Sequence, residues 1–259
     1  MKNKLFSFLI LAFTFFSCSS NESDNTEDDK AVLPKAIISI DPGFSSDTAF
    51  VSYDDMKIKS ITYKKFKIYY YYEDNLITRK AYYNIVQGKE DKVNEELYSY
   101  TNGKLTSIKY LDNLSSYPTR INLRAVYTYL GDTLIKEQRY STHYLTNVET
   151  EDDYFSLFRV KDGNRVKRIN VNTKTGIPSS TVIYVYDNKN SPFKNIVGMN
   201  LLINDERSSF NNHLSSFSDN SGTYIEIKKY EYDSNNYPYI ETYYKGGKEE
   251  TTITKYLYK

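Results

Sequence analysis

The chain of 259 residues has no tryptophan, one cysteine and two histidines. A lone cysteine, Cys18, excludes an intramolecular disulfide, so stability must come from packing. His143 and His213 stand far apart and form no His/Cys cluster with metal-ligand spacing. Both are expected on the surface or in loops. There is no Gly-x-Ser-x-Gly elbow and no Gly-rich loop to cradle a phosphate. A single-signed charge is also missing. The 34 bases and 33 acids nearly cancel, and loss of Lys2 and Lys4 with a signal leaves 32 bases. That balance argues against a nucleic-acid binder, which shows a basic face. No catalytic residue, metal or cofactor is expected, and the chain reads as a non-enzyme.

What is present in excess is tyrosine, at 28 residues. Many fall in pairs two apart: Tyr70 and Tyr72, Tyr98 and Tyr100, Tyr127 and Tyr129, Tyr184 and Tyr186, Tyr230 and Tyr232, Tyr256 and Tyr258. In a strand, residues two apart share one face, so each pair places two rings together. Turn formers follow: Asp74-Asn75, Asn102-Gly103, Gly131-Asp132 and Asp162-Gly163. An aliphatic then opens the return strand at Leu76, Leu105, Leu134 and Val166. The second aromatic recurs in steps of 28 and 29 residues from Tyr72 to Tyr129, and Val160 holds its place in the next copy. One long step of 46 residues, from Tyr186 to Tyr232, requires an insertion. Such self-similarity implies repeated hairpins. The rings serve as cross-strand ladders, and those left exposed are candidates for stacking a sugar or peptide.

The chain opens on Lys2 and Lys4, then on an apolar run over residues 5–16, interrupted only by Ser7 and Thr14. Twelve residues are too few for a spanning helix, which needs about 20, and suit a secretory signal over 1–17. Phe15-Phe16-Ser17-Cys18 resembles the lipobox of bacterial lipoproteins, with Phe15 where leucine is usual. The resemblance implies lipidation of Cys18. Residues 18–33 then form an acidic tether, similar to the export signal of Bacteroidota surface lipoproteins. Residues 34–259 make one all-β domain. Ser191, Pro192 and the apolar residues Phe193, Ile196, Val197 and Leu201 predict one short helical insertion near 191–203. Gly246-Gly247 reads as the last tight turn.

The phrases Tyr230-Glu231-Tyr232-Asp233-Ser234-Asn235-Asn236 and Tyr98-Ser99-Tyr100-Thr101-Asn102-Gly103 resemble YD repeats of the RHS type. They also resemble repeats of uncharacterised Bacteroidota lipoproteins described as having a porin-like fold. That resemblance implies an antiparallel up-and-down meander of about 14 strands, curled into a barrel or open half-barrel, and implies no catalytic residues. Lys228-Lys229, Arg79-Lys80 and Glu137-Gln138-Arg139 put charge on both strand faces, unlike a lipid-facing wall. The expectation is a lipid-anchored protein of the outer membrane, on the cell surface, binding a glycan, peptide or protein. The alternatives are a structural subunit of an envelope complex and a glycan-active hydrolase.

Overall fold

The computed structural model describes residues 31–112, 122–143, 145–245 and 251–259. The expected signal, Cys18, the tether up to residue 30 and the Gly246-Gly247 turn lie outside them. Sixteen strands follow one another. The first quarter comprises β1 (Pro34–Ile40), β2 (Asp47–Asp54), β3 (Lys57–Thr62) and β4 (Phe66–Glu73). Next come β5 (Leu76–Val86), β6 (Lys89–Thr101), β7 (Lys104–Asp112) and β8 (Asn122–Tyr129). Then follow β9 (Leu134–Thr142), β10 (Glu149–Lys161), β11 (Asn164–Asn172) and β12 (Pro178–Tyr186). The last are β13 (His213–Ser218), β14 (Tyr224–Tyr232), β15 (Pro238–Lys245) and β16 (Thr251–Tyr258). Each pairs antiparallel with its neighbours in sequence, and β1 pairs with β16 to close the barrel.

The expected meander is present, with 16 strands instead of about 14. The two extra strands are β3 and β13, neither of which carries the paired aromatics. Asp55 takes φ 54° and turns the chain from β2 into β3 without a glycine. At Asn102-Gly103 both residues have positive φ, 51° and 72°, as a two-residue hairpin loop requires.

The paired aromatics all lie toward one end of the barrel, and in every pair but Tyr127 and Tyr129 the second position marks a β-bulge. The register shifts at Ser52/Tyr53, Tyr71/Tyr72, Ser99/Tyr100, Arg159/Val160, Val185/Tyr186 and Glu231/Tyr232, and again where β1 meets Tyr258. A bulge adds one residue to the partner strand and increases its twist. The second tyrosine then bonds back across the ladder. Tyr53, Tyr100, Tyr186 and Tyr258 donate to the carbonyls of Pro34, Ile77, Arg165 and Pro238 at 2.6–3.1 Å. The core-facing position of the return strand also differs from the expected one. Leu76 and Leu134 are only half-buried, and the next residues, Ile77 and Ile135, point to the core.

The connection over 187–212 runs inside the barrel. Val197 N–H donates to the Met56 carbonyl, and the Tyr72 hydroxyl donates to the Val197 carbonyl at 3.1 Å. Asn204 Nδ2 donates to the Tyr110 hydroxyl on β7, and Asn195 Nδ2 to the Tyr237 hydroxyl beside β15, both at 2.8 Å. Strands β7 and β15 face each other across the ring. Only a segment within the lumen reaches both. The short helical insertion expected near 191–203 is present as a series of tight turns ending in the 3-10 segment Met199–Leu201, and a second 3-10 segment, Glu206–Ser208, follows beyond it. Gly198, at φ 75°, interrupts any regular helix. The buried residues Phe193, Ile196, Met199 and Leu202 recur every third position, the 3-10 period, so Met199 and Leu202 replace the expected Val197 and Leu201 as the packed face. They join Ile58, Ile61, Ile77, Leu105 and Ile108 in one core between plug and wall. Full burial of each such side chain contributes about 1.5–3 kcal/mol.

Candidate functional site

Opposite the second aromatic of each pair lies a lumen-facing position two residues past the turn. In four hairpins it holds Ile58, Ile77, Leu105 or Ile135, all essentially fully buried. In β11 and β13 the same position holds Arg165 and His213, paired with Val160 and Tyr186. The repeat abandons its apolar rule here, and here the core opens. A cavity of about 260 Å³ lies between the plug and the wall, lined by Arg165, His213, Tyr184, Tyr186, Tyr230 and Glu206 among others. Departures from a local rule mark functional or strained positions.

The lining carries three cations, Arg165, Arg207 and Lys228, and three acids, Glu206, Glu226 and Glu241. Most are already committed. Lys228 Nζ sits 3.2 Å from Glu241, whose other oxygen accepts from the Tyr256 hydroxyl at 2.8 Å. Arg207 is paired to Asp205 at 3.1 Å. Glu226 accepts from Ser216 and lies 3.3 Å from His213 Nδ1. Among the described residues Arg165 and Glu206 have no ion-pair partner. Arg165 instead rests on rings, 4.9 Å from the Tyr184 centroid and 5.4 Å from that of Phe158. Six buried polar atoms have no partner within the described protein, and three of them belong to this lining: Arg165 Nε, His213 Nε2 and Asn212 Oδ1. Native proteins leave few such groups unpaired.

Burial pushes the His213 imidazole down to about 4, with the charge of Lys228 acting in the same direction, so the ring is neutral at neutral pH. Burial pushes the Glu226 carboxyl up, against the opposing charge of Lys228. Deeper in the lumen, burial also pushes the Asp205 carboxyl up, but Arg207 and Lys80 overcome it and hold that group well below the usual carboxylate range.

The paired tyrosines all face inward, and they divide into two groups. Tyr70, Tyr98 and Tyr127 are buried in the core, and Tyr72, Tyr100 and Tyr129 pack against it. Tyr72, Tyr98, Tyr100 and Tyr127 donate to fixed partners, the Val197 carbonyl, Glu96, the Ile77 carbonyl and Glu137, whereas the Tyr70 hydroxyl is buried without one. Tyr184, Tyr186, Tyr230 and Tyr256 line the cavity, and the Tyr232 hydroxyl bonds Asp187. His213, expected in a loop or on the surface, stands on β13 facing the lumen with its side chain only 16% exposed. The sequence reading missed it and Arg165 because the repeat phrase is anchored on the outgoing strand, while both residues sit on return strands beyond a bulge.

Away from the plug, water reaches the inner wall: Tyr154 is 49% exposed and Leu123 37%. A second hollow there, about 320 Å³, is lined by Glu137, Arg139, Asp152, Arg168 and Asn170. Inner and outer rows of the wall are distinct. Tyr70, Lys80, Glu96 and Tyr110 run side by side on the lumen face. Tyr71, Arg79, Leu97, Lys109, Arg124 and Tyr140 run side by side on the outside. There Arg79 stacks on Tyr71 at 3.7 Å and Arg124 on Tyr140 at 4.4 Å.

No family model matches the chain, and no curated protein matches it in sequence. Among solved structures it is similar to a porin-like protein from Bacteroides vulgatus ATCC 8482, at a TM-score of 0.57 and 13% identity, covering 88% of this chain and 99% of that one. A porin-like protein from Bacteroides uniformis ATCC 8492 is more distant, at a TM-score of 0.32 and 11% identity over 87% and 98% of the two chains. At 13% identity the first likeness is one of fold, and the fold of this chain is a porin-like closed barrel.

Proposed function

We propose that this protein is a lipid-anchored outer-membrane or cell-surface barrel that holds a ligand in its lumen and performs no chemistry on it. The observation that carries this reading is the cavity beside Arg165 and His213, where the repeat gives up core packing. The plug over 187–212 occupies the lumen, which supports binding over conduction. Of the three acids in the lining, Glu226 and Glu241 already serve as partners of Ser216, Lys228 and Tyr256, which leaves Glu206 alone where a glycosidase uses two carboxylates.

The outer wall supports anchoring by Cys18 over insertion of the barrel. Three cations stand in one outward row, Arg79, Lys109 and Arg124. Each such residue facing lipid costs about 2–4 kcal/mol near the bilayer midplane. No helix among the described residues is long and apolar enough to cross a membrane. A barrel standing in water on a tether accommodates this wall without that penalty.

The test is a binding screen of the protein against glycans and short peptides. Tyr184→Ala and Tyr186→Ala in the lumen should each abolish a hit, and Tyr71→Ala on the outer wall should leave it intact. A hit lost only with Tyr71→Ala would place recognition on the outer wall and overturn the lumen reading.

A further inference from the structure

We infer that the lumen cavity takes a neutral, hydroxylated ring of the sugar class, and that Arg165 and His213 are the residues that select it. This rests on the lumen-binding reading above.

Four hairpins place isoleucine or leucine where β11 and β13 place Arg165 and His213. An aliphatic at either position would extend the core, so packing does not require the polar residue. A polar group set into an apolar position is costly unless something pairs with it. Among the described residues Arg165 has no ion-pair partner, and Arg165 Nε, His213 Nε2 and the neighbouring Asn212 Oδ1 stay unpaired just behind the cavity surface.

Charge narrows the ligand. With three cations balanced by three acids around the cavity, an ionic ligand meets as many like charges as opposite ones. The two uncommitted groups are a guanidinium, which only donates, and the Glu206 carboxylate, which only accepts. A hydroxyl both donates and accepts, so a polyhydroxylated ring satisfies each without bringing a counter-charge. Tyr184, Tyr186 and Tyr230 supply aromatic lining for its C–H surface. The volume, about 260 Å³, lies just below the range of about 300–1,000 Å³ typical of drug-sized sites and suits one ring.

The experiment uses the full chain with glucose, galactose and N-acetylglucosamine as neutral probes, glucuronate as an anion and glycylglycine as a zwitterion. Binding is read by saturation-transfer NMR and titration calorimetry. At least one neutral sugar should bind, and Arg165→Ile and His213→Ile should each weaken it at least tenfold. Both variants restore the residue the repeat uses elsewhere, so their unfolding midpoints should stay at or above that of the parent. If either fails to fold, Arg165→Gln and His213→Gln carry the same expectation for affinity. Binding of glucuronate or glycylglycine alone, lost with Arg165→Ile, would overturn the neutral-sugar inference and leave the lumen reading standing. Sugar binding that ignores both positions would overturn the lumen reading as well. Silence from every probe would overturn the sugar inference, and the wider peptide and glycan screen would then decide the lumen reading separately.

Discussion

Asp205 ties the plug to the wall, and replacing it with asparagine should loosen the barrel by about 3 kcal/mol. Its carboxylate accepts from Lys80 Nζ at 2.6 Å and from Arg207 through Nε and Nη2, both at 3.1 Å. It also caps the second 3-10 turn by accepting from the Arg207 N–H at 3.0 Å. The Lys80 side chain is only 3% exposed, and its next acid, Glu96, is 4.0 Å away. Removing one member of a buried ion pair costs about 3–5 kcal/mol, because the remaining charge stays desolvated. Glu96 and the partial exposure of Arg207 place the expectation at the low end. Urea unfolding followed by tyrosine fluorescence should show a midpoint lowered by about 1 M, for a slope of about 3 kcal/mol per M. Lys80→Met in the same chain should recover at least about 1 kcal/mol, since it removes the stranded cation. A loss below about 1 kcal/mol, or strict additivity of the two changes, would refute the claim that this pair anchors the plug. The sign with pH is also determined. The folded Asp205 carboxyl titrates below its ordinary 3.8, so its contribution is present above that value and is lost as pH falls beneath it. The Asp205→Asn variant should show a flatter acid limb.

His213 makes a second, separable pH prediction. Its folded value of about 4 lies below the ordinary 6.5, so stability should fall as pH drops from 6.5 towards 4, by about 3 kcal/mol at most. His213→Gln should remove that part of the slope in chemical unfolding across the window, and an unchanged slope would show that the ring is not held neutral. Gly198→Ala should cost clearly more than Gly103→Ala in thermal unfolding. Both positions have positive φ, but a Cβ at Gly198 meets the Asn75 carbonyl oxygen at 2.7 Å, whereas at Gly103 nothing lies within 4 Å. Equal losses would mean the plug yields freely at this contact. Cys18→Ser should move the protein from the membrane fraction to the soluble one. Retention through an alkaline wash would show that the wall itself sits in lipid.

Much of the hairpin architecture was legible because tyrosine pairs, turn formers and a period near 28 residues are local signals. Asn102-Gly103 is a turn from its chemistry alone, and Tyr98 with Tyr100 is a strand face from spacing alone. Strand β3 was missed because Asp54-Asp55-Met56 turns without glycine or proline, through a strained Asp55. Residues 204–222 read as polar loop with room for one short strand, and β13 was left out of the count because His213–Ser218 is short, mostly polar and gains its place only by pairing on both sides. The expected helix near 191–203 followed from Phe193, Ile196, Val197 and Leu201. Packing chose Phe193, Ile196, Met199 and Leu202 instead, since Gly198 breaks the helix and the lumen rewards a three-residue period.

The sequence by itself determined that this chain is a meander of repeated hairpins, that its stability rests on packing without disulfides, and that one long insertion interrupts the period. Those properties depend on residues close together along the chain. Tertiary structure alone decided that the meander closes through β1 and β16, which way the paired tyrosines face, and that the insertion turns inward. Closure depends on strand twist and on the register that the bulges set between neighbouring strands all the way round the ring. The site depends on it too: the β11–β12–β13 ladder sets Arg165 near His213, 48 positions apart in sequence, but closure brings Ile37 and Tyr256, and the plug brings Glu206 and Arg207, to complete the cavity around them.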